Sequence, residues 1–295
     1  MGNPLVSVVV ASYKTSATIL ETLDSIQAQT YDNLELIVTD DHSTDNTVAL
    51  VRGWMAENGS RFVRCELVES ETNTGVSANF NRGVRAAKGL WIKTFASDDI
   101  LLPNAIARFC EEAAKTGERI YLARVELFGG EAYKYSRVYA NLEYRYSRIK
   151  DRSRRAQYRS ALYSHILPGP ALFYQRSLWE EIGGFDEAYP MSEEMAFQVK
   201  ALEIARVGFI DETLVRWRQA EGSLSRSISP AKFQDIDFYY KVRRRRLLRE
   251  RMYLHLLDAD ITNFLAKKEF TGGTGPWRLL RLCSPLFYCN KLRRL

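Results

Sequence analysis

The chain has 295 residues, 46% of them hydrophobic and 26% charged, with a formal net charge of +6. Such a balance supports a sizeable core and excludes global disorder. The charge is uneven, because residues 232–295 carry 15 Lys/Arg against 6 Asp/Glu, +9, whereas residues 1–231 sum to −3. The opening "MGNPLVSVVV" offers no basic n-region and no apolar stretch of signal-peptide length. No apolar run approaches the roughly 18 residues that span a bilayer. Cys65, Cys110, Cys283 and Cys289 lack metal-type spacing and read as free thiols of a reducing compartment.

In chain order, "LVSVVVASY" is a buried-strand run, and Thr18-Ile19-Leu20-Glu21 has the form of a capping box opening a helix. "LELIVTDD" is a second strand ending in paired aspartates; "STDNT" caps a helix stopped by Asn58-Gly59. "FVRCELV" is a third strand, "TGVSANFNRGVRAAKG" a helix, and "LWIKTFA" a fourth strand running into Asp98-Asp99. Pro103 to Thr116 is predicted helical with Gly117 as its stop, and "RIYLARV" is a further strand. This alternation predicts an α/β fold with a mostly parallel sheet, whose ligands bind at the carboxyl ends of the strands. Both aspartate pairs fall at such ends.

From Tyr133 to Tyr163 the signals weaken. Seven tyrosines are mixed there with Arg145, Arg148, Lys150, Arg152, Arg154, Arg155 and Arg159. The segment reads as an excursion over the active edge. It is either a ligand-facing surface, offering aromatic faces and guanidinium groups, or an aromatic packing layer. "GPALFYQ" to "RVGFI" returns to strand, helix, turn, helix and strand, and a long helix is predicted from Pro230 to about Lys268. "KVRRRRLLRER" is too dense in charge for a buried helix face. A Gly-rich break and a basic, apolar tail follow, with Trp277, Leu279, Leu280, Leu282, Leu286 and Phe287 set among arginines and lysines.

Three ordered blocks resemble the family 2 glycosyltransferases: "SVVVASYKTSATILETLDSIQAQTYDNLELIVTDDHSTDNT", "NTGVSANFNRGVRAAKGLWIKTFASDD" and "GGFDEAYPMSEEMAFQVKA". The likeness spans roughly residues 5–225. It implies a GT-A, Rossmann-like sheet flanked by helices over residues 1–229, with 1–125 as the nucleotide-binding half and 126–229 as the acceptor-binding half. A basic helical extension over 230–295 lies outside it.

By this resemblance Ala11, Ser12, Tyr13 and Asp41 form the base pocket, with Asp41 accepting from a base N–H and Asp40 supporting the loop. Arg82 is a diphosphate neighbour or a surface helical arginine. Asp98 lies near the ribose or donor sugar, and Asp99 is the direct ligand of Mn²⁺ or Mg²⁺, a hard ion suited to a diphosphate leaving group. Glu194, after Glu193, is the base that inverting transfer requires; the bland alternative is an acidic pair complementing a helix dipole. "LVRWRQAEGSLS" matches a family segment at Trp217, Arg218 and Ser225, but Ala220 stands where a His is usual, and Ala96 where an extra acid is frequent. One metal or phosphate contact is then missing, and Arg218, water or a tail residue substitutes for it. By the same resemblance the Tyr/Arg excursion is an acceptor site, with aromatic faces stacking on sugar rings and arginines meeting a lipid diphosphate, if it is not a packing layer.

The absence of GxGxxG and GxxxxGK[ST] disfavours dehydrogenase and P-loop chemistry. His42, His165 and His255 are scattered and read as structural or incidental, with His165 the hardest to dismiss. The resemblance implies an enzyme moving a sugar from a nucleoside-diphosphate sugar, UDP favoured, to a glycan hydroxyl on an undecaprenyl-diphosphate-type lipid in polysaccharide synthesis. Its runner-up is a catalytically impaired carbohydrate-binding or scaffolding module. The basic tail suggests an anionic membrane surface at the inner face of the plasma membrane rather than nucleic acid, for which no motif accompanies the charge.

Overall fold

The structure is a computed structural model that describes residues 2–130, 136–189, 193–219 and 230–270. Eight strands form one sheet in the order β3-β2-β1-β4-β7-β6-β8-β5. They are β1 (Val6–Ser12), β2 (Leu34–Asp40), β3 (Arg64–Glu69), β4 (Trp91–Ala96), β5 (Ile100–Leu101), β6 (Ile120–Phe128), β7 (Leu172–Gln175) and β8 (Val207–Arg218). β1 and β2 are covered on both faces, which explains their near-continuous apolar runs. β1 pairs in parallel with β2 and β4, and β2 with β3, so Ser12 lies beside Asp40 and Ala11 beside Ala96. The carboxyl ends of three strands therefore come level on one edge.

Helices α1 (Ile19–Gln27), α2 (Thr47–Asn58), α3 (Val76–Ala86) and α4 (Ala105–Thr116) connect these strands. α3 lies unusually close to the sheet. A Cβ at Gly83 would sit 2.4 Å from Val9 Cγ1 and 2.8 Å from Thr39 Cγ2, so glycine alone lets the helix approach there.

The second half is not parallel throughout. β7 runs antiparallel to both β4 and β6, and β5 antiparallel to β8. β4 and β7 pair only at Trp91–Gln175 and Ile92–Tyr174, after which they part. The fully buried Lys93 bridges the gap, donating to the carbonyls of Pro170 (2.5 Å), Leu172 (3.1 Å) and Thr94 (3.2 Å).

Several local expectations are corrected. Thr18 forms no side-chain cap; its hydroxyl donates to the Ser97 carbonyl at 2.9 Å, and Glu21 pairs with Arg218 instead of returning to the helix start. The Tyr/Arg excursion contains two helices, α5 (Ser136–Ser147) and α6 (Arg154–Ala161). Tyr146 and Tyr158 are buried, and the hydroxyls of Tyr146 and Tyr139 accept N–H groups of β6, so these tyrosines pack. α7 (Arg176–Glu181) and α8 (Glu193–Ile204) follow β7.

The predicted long C-terminal helix is two, α9 (Pro230–Arg249) and α10 (Tyr253–Phe270). The chain turns at Arg251 (φ 55°), where the N–H groups of Arg251 and Met252 reach back to the Leu248 and Leu247 carbonyls. That is a helix stop made without glycine, so its usual sequence signal is missing. The basic run is also less exposed than its charge suggests: Leu247 is fully buried, and Arg246 and Arg249 pair with Glu203 at the end of α8. Thr271 to Leu295, with the proposed anchor, lie outside the described residues. Among the described residues no helix is long and apolar enough to cross a membrane.

Candidate active site

The two aspartates that end β2 do different work. Asp40 accepts the Ser12 hydroxyl (2.8 Å), the Ser43 hydroxyl (2.6 Å) and the Ser43 N–H (2.7 Å), closing the loop over the ends of β1 and β2. Asp41, 2% exposed, accepts the N–H groups of Thr74 (2.9 Å) and Gly75 (2.8 Å), the Thr74 hydroxyl (2.7 Å) and Arg82 Nη2 (3.1 Å). A carboxylate offers about four acceptor positions, and all are taken. Asp41 as arranged has no free lone pair for a base N–H. Its visible task is to hold the turn that launches α3, where Gly75 has φ 88°.

Arg82 is committed to the same network. Besides Asp41 it donates to the Thr74 hydroxyl (2.8 Å), Asn79 Oδ1 (3.0 Å) and the Asp40 carbonyl (3.3 Å). It is neither the solvated surface arginine nor a free diphosphate partner. Beside this network Ser12 is buried, while Tyr13 stays 39% exposed with Lys14 Nζ 5.2 Å from its ring centroid.

Asp98 and Asp99 follow β4 in a turn held from several sides. The Thr22 hydroxyl donates to the Asp99 carbonyl (2.8 Å), and Arg218 Nε to the Asp98 carbonyl (2.7 Å). Arg218 also stacks on Phe128, its guanidinium 4.3 Å from the ring centroid. Asp99 is 1% exposed; its Oδ1 accepts the Arg218 N–H at 2.8 Å, and its Oδ2 is buried with no partner. Burial and the neighbouring Asp98 charge push the Asp99 carboxyl well above its usual range, against the pull of the Arg218 N–H, Lys93 and the Arg218 guanidinium. Burial likewise raises Asp98, with Arg218 opposing. Lys93, the internal cation nearby, is lowered by burial to about 7 although Asp99 favours its charge. Nothing in "WIKTF" beyond a lysine inside an apolar strand signalled this.

A cavity of about 120 Å³ opens where β4 and β7 part. Its floor is the registered pair Ala11 and Ala96, with Thr94 beneath; Val76, Phe80 and Phe185 form one wall. Gly169, Pro170 and Leu172 form another, and Glu193 and Glu194, in the first turn of α8, look in from the rim. The acid absent at Ala96 is therefore room gained, since a larger side chain would enter this space. Glu194 also faces His165, Oε1 to Nε2 at 3.7 Å.

The structure thus gathers Ala11, Ala96, Asp98, Asp99, Glu193, Glu194 and Arg218 along one sheet edge. It turns Asp40, Asp41 and Arg82 toward building the loops beside it. Thr18, Thr22, Lys93 and His165 belong to this edge. From sequence Thr18 reads only as a helix cap, His165 as structural or incidental though the hardest to dismiss, and Thr22 and Lys93 are not singled out, because their roles arise from contacts far apart in the chain. Ala220 and Ser225 lie outside the described residues. Among the described residues no three His, Cys, Asp or Glu side chains are grouped to hold a metal by themselves.

This sheet, with paired acids at the strand ends and a second acidic pair lining the cavity beside them, is the GT-A type of glycosyltransferase architecture. Comparison narrows the class: the chain matches the family described as glycosyl transferase family 2 over residues 7–183, and it belongs to that family. It is 26% identical over 228 residues to the glycosyltransferase GlyG of Streptococcus pneumoniae, covering 76% of this chain and 73% of GlyG. It is 27% identical over 205 residues to a PGL/p-HBAD biosynthesis glycosyltransferase of Mycobacterium bovis, covering 68% and 70% of the two chains. Among solved structures, S. aureus TarS 1–349 in complex with UDP-GlcNAc superposes with a TM-score of 0.65 at 20% identity, over 90% of this chain and 73% of that one. The mannosyltransferase PcManGT of Pyrobaculum calidifontis, in complex with GDP-Man and Mn²⁺, gives 0.58 at 20% identity, over 98% and 70%. The protein is a glycosyltransferase.

Proposed function

We propose that the enzyme transfers a sugar from a nucleoside-diphosphate sugar to a glycan hydroxyl with inversion, and that Glu194 is the base. The observation that carries this reading is that two acidic pairs stand by one small cavity: Glu193 and Glu194, at the start of α8, line it, and Asp98-Asp99 closely follow Ala96, which also lines it, at the end of β4. A single displacement needs a leaving group neutralised on one side and a proton accepted on the other.

The donor set suits a divalent ion. Asp99 Oδ2 is a buried, unpartnered carboxylate oxygen with a second carboxylate adjacent. One or two carboxylates completed by substrate phosphates is an ordinary environment for Mg²⁺, and Mn²⁺ accepts the same oxygens. Asp99, with Asp98 beside it, would hold the ion, which when bound neutralises the diphosphate. Arg218 fixes the turn, and Thr18 and Thr22 tie it to α1. The nucleoside lies in this reading over Ala11, Ser12 and the exposed Tyr13 ring, beside the loop that Asp41 and Arg82 stabilise. TarS and PcManGT bind UDP- and GDP-linked sugars, which supports the donor class; a UDP-sugar is our first choice.

The acceptor reading is a glycan on a lipid diphosphate in polysaccharide synthesis. The protein would work at the inner face of a membrane, held through the basic segment from 230 to 295. Hydrolysis of UDP-, dTDP- and GDP-sugars with Mn²⁺ present tests the donor. Glu194→Gln should fold normally, keep donor affinity within about twofold, and lose transfer by about 10²-fold or more. Near-wild-type turnover would remove Glu194 as the base.

A further inference from the structure

Resting on Glu194 as the base, we propose that His165 is its positioning partner. In this pairing the His165 Nε2 lone pair receives the hydrogen bond of Glu194 once that residue has taken the acceptor's proton.

The placement is built rather than incidental. His165 lies on the loop between α6 and the turn at Gly169. The buried Gln198, one helical turn after Glu194 on the same face of α8, accepts the N–H groups of Ile166 (2.9 Å) and Leu167 (3.4 Å). That pair of hydrogen bonds lays the loop on α8 and brings His165 Nε2 to 3.7 Å from Glu194 Oε1. The imidazole is 19% exposed at its edge, but Nε2 is closed to solvent and has no partner.

In the proposed pairing the neutral ring carries its N–H on Nδ1, so that the lone pair of the unpartnered Nε2 faces Glu194. Burial and the Arg145 charge on α5 hold the ring neutral, against the pull of Glu194 on α8. A lone pair aimed at a carboxylate is unfavourable at rest and becomes favourable when the carboxylate is protonated. The atoms balance without a co-reactant. The acceptor O–H bond breaks as its oxygen bonds the anomeric carbon, the proton stays on Glu194 hydrogen-bonded to Nε2, and the old glycosidic pair leaves with the diphosphate. Arg145, whose Nε is also buried without a partner, supports the ionised Glu194 before transfer. A protonated His165 would instead occupy the Glu194 oxygen and block the base.

Transfer then requires both groups unprotonated, so the acid limb of log kcat should approach a slope of two in the wild type. His165→Gln should lower kcat about tenfold or more, leave the donor KM within about twofold, and reduce that slope to one. His165→Phe, which keeps shape without nitrogen, should show the same slope with a larger loss. Circular dichroism melts report whether each variant is folded. A wild-type slope of one, or a His165→Gln enzyme with unchanged kcat and slope, overturns the pairing while leaving Glu194 in place. An active Glu194→Gln enzyme would overturn the reading beneath it.

Discussion

Asp99→Asn separates what the fold needs at this position from what the reaction needs. The side chain is 1% exposed, its Oδ1 takes the Arg218 N–H, and its Oδ2 is buried without a partner. Asparagine keeps the volume and the Oδ1 acceptor, and removes a negative charge disfavoured by burial and by Asp98. A buried unsatisfied polar group costs about 1–3 kcal/mol, more when charged. The new amide N–H₂ also lacks an acceptor, so the expected gain lies toward the lower end, about 1–2 kcal/mol. Lys93 loses an attracting charge but keeps its three carbonyl acceptors. At roughly 2–4 °C per kcal/mol, Asp99→Asn should melt about 2–8 °C above the wild type in EDTA. Mn²⁺ should reverse the order. A ligand at about 100 times its Kd adds about 2.7 kcal/mol to a protein that binds it, and the variant lacks the carboxylate that would hold the ion. Paired calorimetric scans at neutral pH, with EDTA and with Mn²⁺, measure both effects. An Asp99→Asn protein that melts below the wild type in EDTA and still gains as much from Mn²⁺ would refute the reasoning.

Two further outcomes follow from the same geometry. Ala96→Leu projects a branched side chain into the cavity floor beside Ala11, and should raise the donor KM at least about tenfold while Tm moves by only a few degrees; unchanged donor KM would show that the cavity is not used. Glu203 is pushed up by burial but pulled further down by Arg246 and Arg249, so its carboxyl sits below the usual range. Its docking of α9 is therefore present above the unfolded carboxylate pKa and lost as pH falls through the lower folded value. Glu203→Gln should remove that part of the acid dependence, read as faster proteolysis within 230–270 at neutral pH; equal cleavage rates in both proteins would contradict it.

The sheet edge was legible from sequence because it is written in local patterns. Apolar runs end in Asp40-Asp41 and Asp98-Asp99, and a helix opens with Glu193-Glu194 after Gly-Gly-Phe-Asp. Such patterns state where acids stand, not what surrounds them. Asp40-Asp41 and Asp98-Asp99 look alike as dipeptides, yet the first pair is saturated by Ser12, Ser43, Thr74, Gly75 and Arg82, and the second leaves a buried oxygen open. The difference is made by groups from other elements, which no window of sequence contains. Thr18 misled for the same reason: a hydroxyl suited to capping its own helix found the Ser97 carbonyl instead, 79 positions away. Lys93 and His165 are the extreme case. Each is a single polar residue in an apolar or irregular stretch, and each gains meaning only when β7 and α8 close over it. If Asp99 holds an ion and Glu194 is the base, such a site is half readable along the chain. The acids announce themselves in sequence; the groups that decide which oxygens stay free do not.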